Sequence, residues 1–181
     1  MYQGKYDVRL TYNNEEIVKE FEIIKDPRVK SSQSDFEEQL EFLLKVRDEV
    51  SRANNIIIDI RKIYDDLDYL LTKVDGKTQI IEMIYNFKND LSKVENNIHM
   101  TKNQSRQDPL NYGIRINNRM AFLLADSQRG DYKPTEQSLE FFDSLVKELD
   151  KEEESYKRIL NTYTMQINNM ISDNDIKFIS F

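Results

Sequence analysis

Lys102–Ala125 reads KNQSRQDPLNYGIRINNRMAFLLA, and Tyr132–Ser138 reads YKPTEQS. Together they spell loop, short helix, loop, long helix, and they decide the architecture. Asp108-Pro109 is a helix start, with an N-cap residue followed by proline at the first helical position. Thr135 after Pro134 is a second start. The Asn-rich segment between them (Asn111, Asn117, Asn118) carries helical spacing, with Leu110, Ile114, Ala121 and Leu124 expected inward and Gly130 ending the connection.

Beyond Thr135 a fourth helix is predicted, its apolar stripe formed by Leu139, Phe142, Val146, Leu149, Tyr156, Leu160, Tyr163, Ile167 and Met170. Glu153 falls in a seam position, and the Lys151–Glu154 run reads as a solvated stretch. Toward the N-terminus, Ser34 with Glu37 fits a capping box. A heptad then runs through Phe36, Leu40, Leu43, Val50, Ala53, Ile57, Ile60, Tyr64, Leu67, Leu71 and Val74. Arg47 interrupts it once. Roughly 40 residues in this helix make a rod about 60 Å long. Asp75-Gly76 breaks it, and Ile80, Ile84, Phe87, Leu91, Val94 and Ile98 mark a second helix with an unbroken seam.

Residues 4–25 have the other periodicity. Tyr6, Val8, Leu10 and Tyr12 alternate with Lys5, Asp7, Arg9 and Thr11; Asn13-Asn14 supplies a turn; Ile17, Phe21 and Ile23 resume the alternation. This is a β-hairpin, ended by Asp26-Pro27. A lone hairpin is marginal in water, so it needs a partner: the helices, the C-terminal tail, or a β-domain outside this sequence. The expected organisation is a hairpin over 1–29, an antiparallel up-down four-helix bundle with long coiled-coil-like helices over 30–175, and an apolar tail, 176–181, packed near the hairpin. The fold class is mainly α.

Composition agrees with that class. Of 181 residues, 33% are charged and 39% hydrophobic, with 4 Gly and 3 Pro. Long solvated helices need few turn residues. A net charge of −7 with no basic cluster disfavours nucleic acid. There is no cysteine, so disulfides and thiolate metal sites are excluded, and no apolar run is long enough for a transmembrane helix. The opening MYQGKYDV lacks a signal-peptide pattern and starts within strand-like sequence, so the chain reads as a fragment of a longer one.

No residue pattern spells a catalytic, cofactor-binding or metal site. His99 is the single histidine and lies one residue past a seam, facing outward or at a helix flank. Asp65, Asp66, Asp68 and Glu152–Glu154 sit in helical pattern, where neighbouring carboxylates diverge, and read as a solvated face. Asn117 occupies an inward slot and is expected to fix register. Tyr64, Tyr156 and Tyr163 lie on inward stripes, where their hydroxyls need partners. Asn103-Gln104-Ser105 matches a glycosylation sequon, a short pattern that arises by chance.

In order along the chain, GKYDVRLTY (4–12), FEIIKDPRV (21–29), SQSDFEEQLEFLLKVRDEVS (32–51), NQSRQDPLNYGIRINNRMAFL (103–123) and KPTEQSLEFFDSL (133–145) resemble the C-terminal region of large bacterial BNR/sortilin-like β-propeller proteins. These are often labelled glycosyl hydrolases and occur mainly in Bacteroidota. The resemblance spans roughly 4–170, with DPLNY and PTEQS its most specific phrases; Gly113 departs from an expected proline, and 50–100 is generic heptad. It implies that the propellers, and any active site, precede this segment. It also implies that the hairpin is the last two strands of a small Ig-like β-domain, that the bundle is a non-catalytic tail, and that the parent is exported to the periplasm, cell surface or medium. No catalytic residue of the family maps onto this chain. The function expected is an accessory or interaction module whose partner is protein, either the missing propeller and Ig-like domains or an unknown one. The alternatives are an oligomerisation coiled coil giving a homodimer, with Phe36, Leu40, Ile167 and Met170 uncovered, or a tail completing a carbohydrate-active enzyme's cleft.

Overall fold

A computed structural model of the chain describes residues 4–105 and 107–174. Strands β1 (Gly4–Tyr12) and β2 (Glu15–Ile23) form an antiparallel hairpin. Helices α1 (Gln33–Leu71), α2 (Thr78–Ile98), α3 (Ile116–Ser127) and α4 (Glu136–Asp173) form the bundle. The protein is mainly α with an N-terminal hairpin, as expected. No described helix is long and apolar enough to cross a membrane.

Local chemistry sets the ends of these helices. Ser32, not Ser34, caps α1: its side chain accepts from the Asp35 amide at 3.2 Å, and Asp35 accepts from the Ser32 amide at 2.7 Å. The box is therefore Ser32/Asp35, two residues earlier than expected, because aspartate fits the reciprocal role that glutamate fills in the more familiar motif. Thr135 caps α4 as expected, accepting from the Ser138 amide at 3.1 Å. Asp108-Pro109 does not open α3. The segment Asp108–Leu110 is a single tight turn, because the Asp108 carboxylate accepts the amides of Gln104 and Ser105 at 2.6 and 2.7 Å and closes the loop behind it.

The late start of α3 shifts its face. Ile116, Met120 and Leu123 are buried. Leu110, Ile114 and Ala121, expected inward, are exposed, and Leu124 is half-buried. In α1 the seam passes through Val46, which is fully buried, and Arg47 lies beside it in solvent; the apparent interruption was an offset of one residue. At the start of α1, Gln39 is buried and Leu40 is 40% exposed. The Gln39 amide donates to the carbonyls of Ser127 (2.9 Å) and Gly130 (2.6 Å), binding α1 to the last turn of α3, where helix carbonyls lack partners.

These contacts fix the course of the chain. α2 is antiparallel to α1, joined by Lys88–Asp68 and by Arg61–Glu95. α3 starts beside the end of α2, where Asn117 meets His99, and runs back along the first half of α1 to Gln39. So α2 (21 residues) and α3 (12 residues) follow one another along one side of α1 (39 residues). α4 then runs parallel to α1 and in step with it. Phe42 meets Phe142 edge to face at 5.6 Å, Arg52 meets Asp150 and Glu153, and Lys77 donates to the Asn174 carbonyl at 3.1 Å. The core lies along this three-sided axis, with Val46, Ile60, Ile84, Leu91, Met120, Leu145 and Leu149 completely enclosed.

Three expectations change as a result. The helices do not alternate up and down: α3 continues in the direction of α2, and α4 runs with α1. α1 and α4 do not outrun their partners, because α2 and α3 add end to end; Phe36 and Ile167 are each 5% exposed, Met170 is half-buried, and only Leu40 of the four is exposed. Asn174 lies at the opposite end of the bundle from Gln33, since Lys77 follows the far end of α1. The tail 176–181 is outside the described residues.

Candidate interaction surface

The residues expected to be chemically inert or structural fall apart from one another, some paired across helices and others exposed. His99 follows the last residue of α2, half-buried, with its Nδ1 3.3 Å from the Asn117 amide nitrogen. Asn117 thus joins α3 to the end of α2, and its Oδ1 is enclosed without a partner. Asp65, Asp66 and Glu154 are exposed, Asp68 pairs with Lys88, and Glu152 accepts from Asn97 at 3.1 Å. Among the described residues no three His, Asp or Glu side chains converge as a metal site would require.

Glu153 is not solvated. It is 23% exposed and accepts from Arg52 and Lys157, both at 2.6 Å. Arg52 also holds Glu49 and Asp150. Burial disfavours the Arg52 charge, but hydrogen bonds to Asp150, Glu49 and Glu153 more than offset it, and its pKa rises. This cluster and the buried Glu95, which accepts from Arg61 at 3.0 Å, are the polar clamps sequence reasoning missed. The signal was a carboxylate in a seam position of α4, level with an arginine one residue off the α1 seam.

Tyr64, Tyr156 and Tyr163 are half-buried against the core, and burial and neighbouring carboxylates raise their pKa values. Tyr163 stacks on Phe87 at 4.9 Å and donates to Asp90 at 2.7 Å; that bond, then burial, disfavours its phenolate. Burial, then the Glu95 charge, does so for Tyr64, and burial, then Asp59, for Tyr156. Asn103 is half-buried with its Oδ1 enclosed without a partner, while Gln104 and Ser105 are exposed.

The hairpin is different: large apolar side chains on it are exposed. Asn13 and Asn14 take left-handed backbone (φ 48° and 65°), the geometry of a two-residue turn whose twist matches the strands. The register pairs Tyr6 with Phe21, Val8 with Lys19, Leu10 with Ile17 and Tyr12 with Glu15 on one face. On the other face Lys5, Asp7, Arg9 and Thr11 lie across from Glu22, Glu20, Val18 and Glu16. The first face is mainly apolar, Lys19 and Glu15 excepted, with Tyr6 stacked on Phe21 at 5.8 Å. The second is charged, with ion pairs Lys5–Glu20 (3.2 Å) and Arg9–Glu16 (2.7 Å) that are solvent-exposed and individually weak.

Neither strand packs against a helix. Val8, Leu10, Ile17 and Phe21 are 55, 64, 56 and 46% exposed. The connection to the bundle is nonetheless tied by hydrogen bonds. Arg28 pairs with Asp26 at 2.7 Å, Lys25 donates to the Ser31 carbonyl at 2.9 Å, and the Ser31 hydroxyl donates to the Asp131 carbonyl. The bundle therefore carries an amphipathic two-stranded ribbon with its apolar face open, the kind of contiguous patch that marks an interaction site. Comparison of the chain with protein-family models, curated proteins and solved structures finds no match.

Proposed function

We propose that this chain is a non-catalytic helical accessory and interaction module, the C-terminal part of an exported β-propeller protein of the glycosyl-hydrolase-like kind. The observation that carries the interaction reading is the open apolar face of the hairpin. Nine-residue strands with one apolar face are wasted on a free ribbon, since burying that face is what stabilises a sheet. The charged opposite face suits the outer side of such a sheet. The propeller context rests on the resemblance of the five segments between 4 and 145, and the hairpin in this reading supplies the last strands of a preceding β-domain. The bundle carries its own enclosed core, so it serves as a rigid body set behind that domain.

The reading is tested by extending the chain with the residues encoded immediately upstream and comparing amide exchange in the short and long forms. The expected result is a propeller and β-domain upstream, with hairpin amides slowing sharply in the longer form while those of α1–α4 stay unchanged. An upstream reading frame without β-repeats, or glycoside hydrolysis by the 181-residue chain itself, would overturn it.

A further inference from the structure

The two free edges of the hairpin are not equivalent. In a two-residue hairpin the pair beside the turn, here Tyr12–Glu15, exchanges both backbone bonds, and bonded and non-bonded pairs alternate from there. Leu10–Ile17, Val8–Lys19 and Tyr6–Phe21 are then bonded pairs. The backbone groups of Lys5, Asp7, Arg9 and Thr11 point outward along β1, and those of Glu16, Val18, Glu20 and Glu22 point outward along β2. The β2 edge carries Glu16, Glu20 and Glu22, with Val18 between them and no cation of its own. The β1 edge is mixed. Arg9 and Lys5 hold Glu16 and Glu20 across the ladder. Asp7 lies directly opposite Glu20, a destabilising like-charge pair, and it has no cationic partner among the described residues.

We propose that the β1 edge, not the β2 edge, is the docking edge: it accepts an extended strand of a partner β-sheet that carries a lysine or arginine opposite Asp7, and the apolar hairpin face joins the inner face of that sheet. The proposal rests on the interaction-module reading above and sharpens it. A cation at that position relieves the Asp7–Glu20 repulsion. Charged side chains keep sheet edges from pairing; those of β2 are all acidic, two of them held by cations of β1, whereas Asp7 of β1 has none. A third strand is also what a two-stranded ribbon needs to become stable.

The test uses the isotopically labelled chain and a capped nine-residue peptide, alternating threonine and valine with lysine at its centre, beside the same peptide with glutamate there. Both are run on the native chain and on Asn14→Gly, whose turn favours the folded hairpin. Amide exchange at Lys5, Asp7, Arg9 and Thr11 is expected to slow by about tenfold or more. The lysine peptide should bind about threefold to tenfold more tightly than the glutamate peptide, with the preference reversed in Asp7→Lys. Slowing at Glu16, Val18, Glu20 and Glu22 instead would overturn the edge assignment and leave the interaction reading standing. No response at either edge, with the Leu10 and Ile17 amides protected, would overturn both. Slowing along β1 without peptide, growing with protein concentration, would make a second copy the occupant and overturn the foreign-strand proposal.

Discussion

Arg52 Nη1 lies 2.6 Å from Glu153 Oε2, joining α1 to α4 at the level where α2 ends and α3 begins. The same guanidinium reaches Glu49 at 2.6 Å and Asp150 at 2.7 Å. A planar fork can serve three carboxylates at once where an ammonium cannot. Arg52→Met should therefore destabilise the bundle by about 1–2 kcal/mol, after discounting for a side chain that is 29% exposed. Arg52→Lys should recover less than half of that. Urea unfolding midpoints measure both, and an unchanged midpoint in Arg52→Met would show the cluster to be ornamental.

The same cluster predicts an acid limb. The Lys157 hydrogen bond holds the Glu153 carboxyl below its ordinary value; burial opposes this, and Arg52 adds to it. Asp90 is lowered by Lys93 and then by Tyr163. A folded pKa below the unfolded one gives stability that is present above the unfolded pKa and is lost as pH falls through the folded one. With unfolded values near ~4, the melting temperature should hold from neutral pH to about 5 and then fall. Arg52→Met should show a shallower fall. Parallel acid limbs in the two proteins would remove the Arg52 share and leave Glu153 held by Lys157 alone.

Leu145 and Leu139 separate the true α4 seam from its sequence approximation. Leu145 is fully buried, whereas Leu139, placed on the stripe by spacing, is 45% exposed. Leu145→Ala should cost about 2–5 kcal/mol and Leu139→Ala less than about 1. The reverse order in thermal or urea unfolding would contradict the helix phase described above.

What was legible in the sequence is what is encoded locally. The hairpin follows from period-two alternation around Asn13-Asn14, and the α2 seam from Ile80 to Ile98 is buried at all six expected positions. The Thr135 cap needs only its own neighbours. What was not legible depends on distant groups. Asp108 could cap a helix or tie down its own loop, and the choice of the loop moved α3 by half a helix. That α2 and α3 share one side of α1 is decided by Gln39 reaching Ser127 and Gly130, a contact that no single-helix periodicity carries. The open face of the hairpin was legible as a need for a partner but not as an unmet one, because alternation says which face is apolar and not what covers it.

Tyr163 gives the alkaline counterpart. Its hydroxyl donates to Asp90 while its ring stacks on Phe87 with an interplanar angle of 9°. The Asp90 bond first, then burial, raises its pKa, and Tyr64 and Tyr156 are raised mainly by burial. A raised folded pKa gives stability that is complete below the unfolded value and is lost as pH rises through the folded one. The bundle should thus lose stability from about pH 10 upward. Tyr163→Phe keeps the stack and loses the bond, costing about 1 kcal/mol at neutral pH, and should flatten the alkaline limb. Denaturant unfolding at both pH values checks this; an unaltered limb in Tyr163→Phe would assign the alkaline loss to the other tyrosines.

The hairpin and the bundle should respond to mutation independently, because neither strand packs against a helix. Asn14 sits at φ 65°, a conformation that glycine takes without strain and that a β-branched side chain resists. Asn14→Gly should stabilise the ribbon by a few tenths to about 1 kcal/mol, the asparagine-glycine pair being the preferred form of this turn. Asn14→Val should open it, at a cost of about 1–3 kcal/mol. Amide exchange at Leu10, Ile17 and Val8 would register both changes, while the melting temperature of the helices stays where it is. If Asn14→Val also lowered that melting temperature, the hairpin would be stabilising the bundle through contacts the fold does not contain, and its apolar face would have a partner within the chain after all.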